Sequence, residues 1–279
     1  MKALKKLFAL ILIGCLALSA LSGCLKGPKD YLPSDENLFD FVQLDDGTYS
    51  VALKAGAEIP ENEALKLPNA YNGKAVTQVA ENGFKESAVK EVQIPASIKV
   101  IGKTAFYGCV SLSSVYFYNG VSEIQAGAFY GCSSIEELTL PSSLKVIGES
   151  AFAATSIISL QLPAGLETVG SFAFAYCESA TSITLPNTLN KIGSHSFVKC
   201  NKVKEIIIPQ GVTAIGEAAF SCCTSLVKVI IPATVQELGN SAFYICNKLT
   251  IYAETQTAPN GWERDWNYSN CKVVWGYQG

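Results

Sequence analysis

From Val79 to Leu238 the chain repeats one order of apolar and polar positions. An apolar residue, followed by Gly in most turns, stands at Val79, Ile101, Ile124, Ile147, Val169, Ile192, Ile215 and Leu238, at intervals of 22 or 23 residues. Five positions after each comes a Phe: Phe84, Phe106, Phe129, Phe152, Phe174, Phe197, Phe220 and Phe243. Three positions after six of these stands a Cys (Cys109, Cys132, Cys177, Cys200, Cys223 and Cys246), with Ser87 and Thr155 in the two shorter turns. A run that alternates at period two then closes each unit, as in Val92-Gln93-Ile94, Leu138-Thr139-Leu140, Leu160-Gln161-Leu162 and Ile183-Thr184-Leu185. Alternation of this kind puts every second side chain on one face of a strand. Pro95, Pro141, Pro163, Pro186, Pro209 and Pro232 end the runs, because Pro has no N–H to give to a strand ladder. No single unit can bury its apolar set alone, whereas stacked units share one core, so the pattern predicts a β-rich repeat solenoid of about eight turns. Gly after the apolar residue is expected to permit a tight corner.

The two flanks read as caps for an otherwise open core. Residues 39–44 and 48–53 alternate around Asp45-Asp46-Gly47, and Asp-Gly between such runs signals a β-hairpin. We assign 37–64 to an N-terminal cap, 65–252 to the repeats and 253–279 to a C-terminal cap that holds Trp262, Trp266 and Trp275. A Trp cluster can be a carbohydrate platform or the cover of the last turn.

The first residues carry targeting information. Lys2, Lys5 and Lys6 precede an almost wholly apolar stretch at 7–20, too short to span a bilayer comfortably and laid out as a secretory signal. Leu21-Ser22-Gly23-Cys24 resembles the bacterial lipobox. The resemblance implies a signal peptide at 1–23, cleavage before Cys24, lipid on the Cys24 sulfur and display on the outer side of the bacterial membrane. Residues 24–36, polar and Pro-containing, are then a tether.

Composition narrows the partners. Hydrophobic residues make up 49% and charged ones 16%, which suits layers of small and aliphatic side chains. Without Lys2, Lys5 and Lys6 the chain carries 18 basic against 24 acidic groups, and Arg264 is its one Arg. Nucleic-acid binders carry a stripe of Lys and Arg, so nucleic acid is not expected as a partner.

Candidate chemistry is sparse. After Cys15 and Cys24, eight cysteines remain. An even count in a secreted chain points to disulfides, but six of these share one repeat position and read as a buried column of small apolar fillers with free thiols. Cys222 and Cys271 stand outside that column. Neither paired Cys motifs nor His partners are present for a metal, and His195 is the one His, so no metal or other cofactor is expected. Glu91, Glu137 and Glu205 share a column two and three turns apart, about 10 and 14 Å at strand spacing, too far for a retaining carboxylate pair near 5 Å. No catalytic residues are assigned, and the chain is not read as an enzyme.

The unit IGxxAFxxCxxLxxVxIPxxV resembles the BspA-type leucine-rich repeat, a bacterial surface variant, over residues 65–252. The resemblance implies a horseshoe or arc with short strands on its concave face, and adhesion or binding of host or other surface proteins. The outward columns of the strands are then Gln93, Tyr116, Thr139, Gln161, Thr184, Ile207, Ile230 and Glu91, Ser114, Glu137, Ser159, Ser182, Glu205, Lys228. Tyr116 and Tyr118, together with Ile207 and Ile230, are the candidate ligand contacts on this face. Ile207 and Ile230 are alternatively covered by the Trp262–Trp266 segment folding back. The leading expectation is a lipid-anchored, non-enzymatic binding module with a protein ligand; the alternatives are a structural envelope protein and a carbohydrate-binding lipoprotein.

Overall fold

A computed structural model describes residues 32–60 and 63–279. The signal segment, Cys24 and most of the tether lie outside the described residues. The rest is a β-solenoid coiled along two ladders. The first ladder begins with β1 (Phe39–Gln43) and β2 (Tyr49–Leu53), an antiparallel hairpin with Phe41 opposite Val51. After β3 (Leu65–Lys66) and β4 (Ala70–Tyr71), β5 (Lys74–Val79) pairs parallel with β2. From there it takes one two-residue strand per turn: β7 (Val100–Ile101), β9 (Glu123–Ile124), β10 (Val146–Ile147), β12 (Thr168–Val169), β14 (Lys191–Ile192), β16 (Ala214–Ile215) and β18 (Glu237–Leu238). The recurrent apolar residues stack in register along it, from Val51 beside Val79 through to Leu238, which bridges to Trp262.

The second ladder carries the alternating runs. It consists of β3 with β6 (Glu91–Ile94) and β8 (Ser114–Phe117), then β11 (Ser159–Gln161) with β13 (Ser182–Thr184), then β15 (Glu205–Ile207), β17 (Lys228–Ile231), β19 (Thr250–Ala253) and β20 (Lys272–Trp275). Both ladders run past the repeat read from the sequence, so the coil has about ten turns rather than eight. The flanks supply the extra turns: β2 continues the first ladder at one end, and β20 continues the second at the other. One expected strand is missing. Residues 137–140 keep their alternation, with Leu138 and Leu140 buried, but make no strand. The gap follows the turn in which Phe117 takes the inward place that Ile94 holds in β6, its ring edge-on to Phe129 at 6.2 Å.

The core is columnar. All eight recurrent Phe rings are buried, and each stacks on the next with centroids 5.0 to 5.8 Å apart. That spacing slightly exceeds the strand repeat, so backbone pairing and ring stacking share one period. Phe39 closes the row edge-on to Phe84. At the far end Trp262 is buried, gives its indole N–H to the Val235 carbonyl at 3.1 Å and packs with Trp266 and Trp275. The six column cysteines are buried free thiols. Each donates to the carbonyl of a Phe one turn earlier, at 3.0 to 3.6 Å.

The recurrent Gly has a different reason from the one expected. Gly102 and Gly193 have ordinary φ; a Cβ there would lie 2.5 Å from the Val79 oxygen and 2.4 Å from the Gly170 carbonyl carbon. Close stacking of turns, not the corner, excludes side chains. The corner's left-handed residues stand two positions before and two after each Phe. They are mostly not Gly, for example Thr104 and Gly108 around Phe106, or His195 and Lys199 around Phe197.

Candidate functional site

A solenoid offers its faces to partners, and the second ladder determines which side chains face out. In β15 and β17, Ile206 and Val229 turn into the core, while Glu205, Ile207, Lys228 and Ile230 turn away from it. The register then lines up Ile207, Ile230, Tyr252 and Val274 across four strands as one apolar row. Ile207 is 58% exposed; the other three are half-buried. The Tyr277 and Tyr252 rings pack at 61° to each other with centroids 5.0 Å apart, which extends the row's apolar surface. Beside it runs a polar row of Glu205, Lys228, Thr250 and Lys272. Lys228 Nζ lies 2.7 Å from Glu205 Oε1, and this hydrogen bond raises the ammonium pKa above its ordinary value. Below the rows, Glu254 accepts hydrogen bonds from Gln210 Nε2 and the Ala233 N–H, both at 3.0 Å, clamping three successive turns.

The N-terminal candidates form a second, separate group. Tyr116 lies beside Gln93 in the ladder and is 48% exposed. Tyr118, half-buried in the place usually held by Pro, directs its hydroxyl to Gln93 Oε1 at 3.4 Å. Four turns separate Tyr116 from Ile207, about 19 Å at strand spacing, and Thr139, Gln161 and Thr184 lie between them. The structure therefore brings Ile207 and Ile230 together, but not with Tyr116 and Tyr118. It also shows that the Trp262–Trp266 segment does not fold back over the two Ile residues. Trp262 sits on the first ladder beside Leu238, so Tyr252 and Val274, rather than the Trp262–Trp266 segment, continue their row. Sequence reasoning missed Tyr252, Val274 and Tyr277 because the repeat motif lapses there. The period-two runs at 250–253 and 272–275 were the available signal.

The other chemically notable residues occupy corners. The His195 ring stacks on Phe172 at 4.6 Å, and its buried Nδ1 has no hydrogen-bond partner among the described residues. Cys222 and Cys271 are half-buried, and the Cys271 thiol reaches the Cys246 carbonyl at 3.5 Å. Tyr107 and Tyr130 stack at 5.0 Å on the outer corner, with Lys85 over the Tyr107 ring. Among the described residues no cluster of three or more His, Cys, Asp or Glu could hold a metal ion, and no helix is long and apolar enough to cross a membrane.

Comparison with known proteins agrees with the coil. A leucine-rich-repeat protein from Bacteroides ovatus is similar in structure, with a TM-score of 0.65 and 26% identity over 88% of this chain and 71% of that one. The leucine-rich-repeat protein of T. pallidum shares the fold with a TM-score of 0.58 and 24% identity, over 87% of this chain and 98% of its own. None of the curated proteins matches. The family model described as the BspA type leucine rich repeat region matches at residues 77–178 and 167–258, in six copies. The motif, the ten-turn coil and this match, which spans more than half of the sequence, agree: the chain belongs to the BspA-type leucine-rich-repeat family.

Proposed function

We propose that this bacterial leucine-rich-repeat protein is a non-enzymatic binding module, held at the cell surface by lipid on Cys24, and that its ligand is a protein that docks on the outward face of the second ladder. One observation carries the reading: the row of Ile207, Ile230, Tyr252 and Val274 is an apolar stripe on a face that is otherwise polar in the middle turns, with Glu137, Thr139, Ser159, Gln161, Ser182 and Thr184. Adjacent apolar side chains left in water on a ladder face mark an interaction surface. A structural envelope protein without a dedicated ligand has no use for them, and a sugar platform needs aromatic ring faces laid flat, whereas Ile207, Ile230 and Val274 carry no ring. The anchoring half of the proposal rests on the lipobox-like Leu21-Ser22-Gly23-Cys24.

The test is attachment of cells to immobilised host or bacterial surface proteins. We expect Ile207→Ser combined with Ile230→Ser to reduce it, with Tyr116→Ala measured separately as the second candidate. Unchanged attachment in both folded variants would move the binding surface to the outer corners.

A further inference from the structure

Both ladders must stop somewhere, and the two ends of the second ladder stop differently. At the N-terminal end the edge strand β3 is sealed: Ser34 N–H donates to the Lys66 carbonyl, and Ser34 Oγ accepts the Lys66 N–H, both at 3.0 Å. At the C-terminal end the edge strand is β20, and among the described residues no strand pairs with its outer side. The ladder alternates backbone direction, as when Ile231 gives its carbonyl forward to the Glu254 N–H. By that alternation Cys271, Val273 and Trp275 turn their backbone groups outward. Asn267 seals Cys271, donating from Nδ2 to its carbonyl and accepting its N–H at Oδ1, both at 2.9 Å. Among the described residues, Val273 and Trp275 have no such cover. Past them, Gly276 in the left-handed region turns the chain back towards the preceding strand, where the Gly276 N–H bonds to the Thr255 carbonyl and the Tyr277 N–H to the Ala253 carbonyl.

The side chains beside that edge state what fits there. Within the sheet, Lys228 is paired by Glu205 of the neighbouring strand, and Ile230 lies beside Ile207. At the edge Lys272 is exposed and has no ion pair among the described residues, and Val274 ends the apolar row. We propose that β20 receives one more parallel strand, an extended segment of a partner protein with an acidic residue beside Lys272 and an apolar residue two positions later beside Val274. Main-chain pairing to Val273 and Trp275 holds the segment; the two side chains select it. Native proteins ordinarily blunt or cover an exposed edge, and the lone Lys272 deters unselected pairing until an acid meets it. The inference rests on the binding reading above and names the chemistry of its partner.

The test uses the full chain in detergent and a fluorescein-labelled synthetic peptide of residues 203–210, which carries the Glu-Ile-Ile pattern of β15, with fluorescence anisotropy as readout. Saturable binding is expected. It should weaken about tenfold or more when the peptide Glu is changed to Lys, and again when the protein carries Lys272→Glu, and recover when the two changes are combined. No saturable binding, or binding indifferent to the charge swap, overturns the proposal. Sedimentation velocity adds a third outcome: self-association of the chain that Lys272→Glu abolishes would give the edge to a second copy and also overturn it. Cell attachment reads the broader proposal separately. A failed swap with attachment still dependent on Ile207 and Ile230 sinks only the edge strand; a working swap with unchanged attachment sinks only the surface role.

Discussion

The thiol of Cys132 donates to the carbonyl oxygen of Phe106, 3.1 Å away and one turn earlier in the coil. The same oxygen takes the backbone N–H of Cys109 at 3.2 Å. A carbonyl has two lone pairs, and in a dry corner the second would otherwise go unused. The column cysteine is therefore more than a filler: it is small and tolerates burial, yet has a donor for the neighbouring turn. Thr155, which stands in the column in place of Cys, donates from Oγ1 to the Phe152 carbonyl of its own turn at 2.9 Å instead.

Thiol labelling should divide the eight described cysteines. Cys109, Cys132, Cys177, Cys200, Cys223 and Cys246 are expected to stay silent in the folded protein and to react after denaturation, while Cys222 and Cys271 react in both. Mass spectrometry of trapped native protein checks this. Disulfides among the six, or their ready native labelling, would contradict the column.

Alkali should weaken the fold through the same thiols. Burial lifts the Cys177 pKa from 9.0 to about 11 and that of Cys246 to about 12. Below pH 9 both folded and unfolded chains keep these protons, so stability is complete. Between pH 9 and these folded values the unfolded chain releases protons that the folded chain retains, so stability falls, by up to about 1.4 kcal/mol per pH unit for each thiol. Urea melts across this range should show a shallower fall in Cys177→Thr than in the parent. An equal slope in both would assign the loss elsewhere.

Phe174 lies in the middle of the ring row, 5.4 Å from Phe152 and 5.6 Å from Phe197. Phe174→Ala is expected to cost about 3–5 kcal/mol by chemical denaturation, since neighbouring turns cannot collapse into the gap without breaking both ladders.

Two kinds of glycine position predict opposite signs. Gly102→Ala forces a Cβ to within 2.5 Å of the Val79 oxygen and should lower the melting temperature markedly. Ala154→Gly, at φ 57° and equivalent to Gly108 and Gly131, should raise stability by up to about 1 kcal/mol, because only the left-handed strain is removed. Calorimetry of the two variants decides it; two shifts of one sign would refute the distinction.

Cys24→Ser tests the anchor. The variant is expected to leave the membrane fraction or to accumulate unprocessed, whereas unchanged fractionation and migration would remove the lipid from the proposal.

The sequence alone determined the repeat length, the Phe row, the Cys column and the outward positions, because in a solenoid each turn meets only its neighbours and local period becomes tertiary contact directly. That is why the 23-residue spacing of Ile207 and Ile230 already makes them neighbours. It did not determine what happens where the motif lapses. Tyr252, Val274 and Tyr277 join the apolar row only because β19, in the last repeat turn, pairs with β20 beyond the repeat. Nor could it separate the two reasons for Gly. Ala80, Gln125 and Gly102 share one column, and only the approach of stacked backbones shows that Gly102 is there for space, while the left-handed strain falls on Thr104, His195 and Ile245. Period is a property of the chain, but the distance between turns and the ends of the ladders are set by packing.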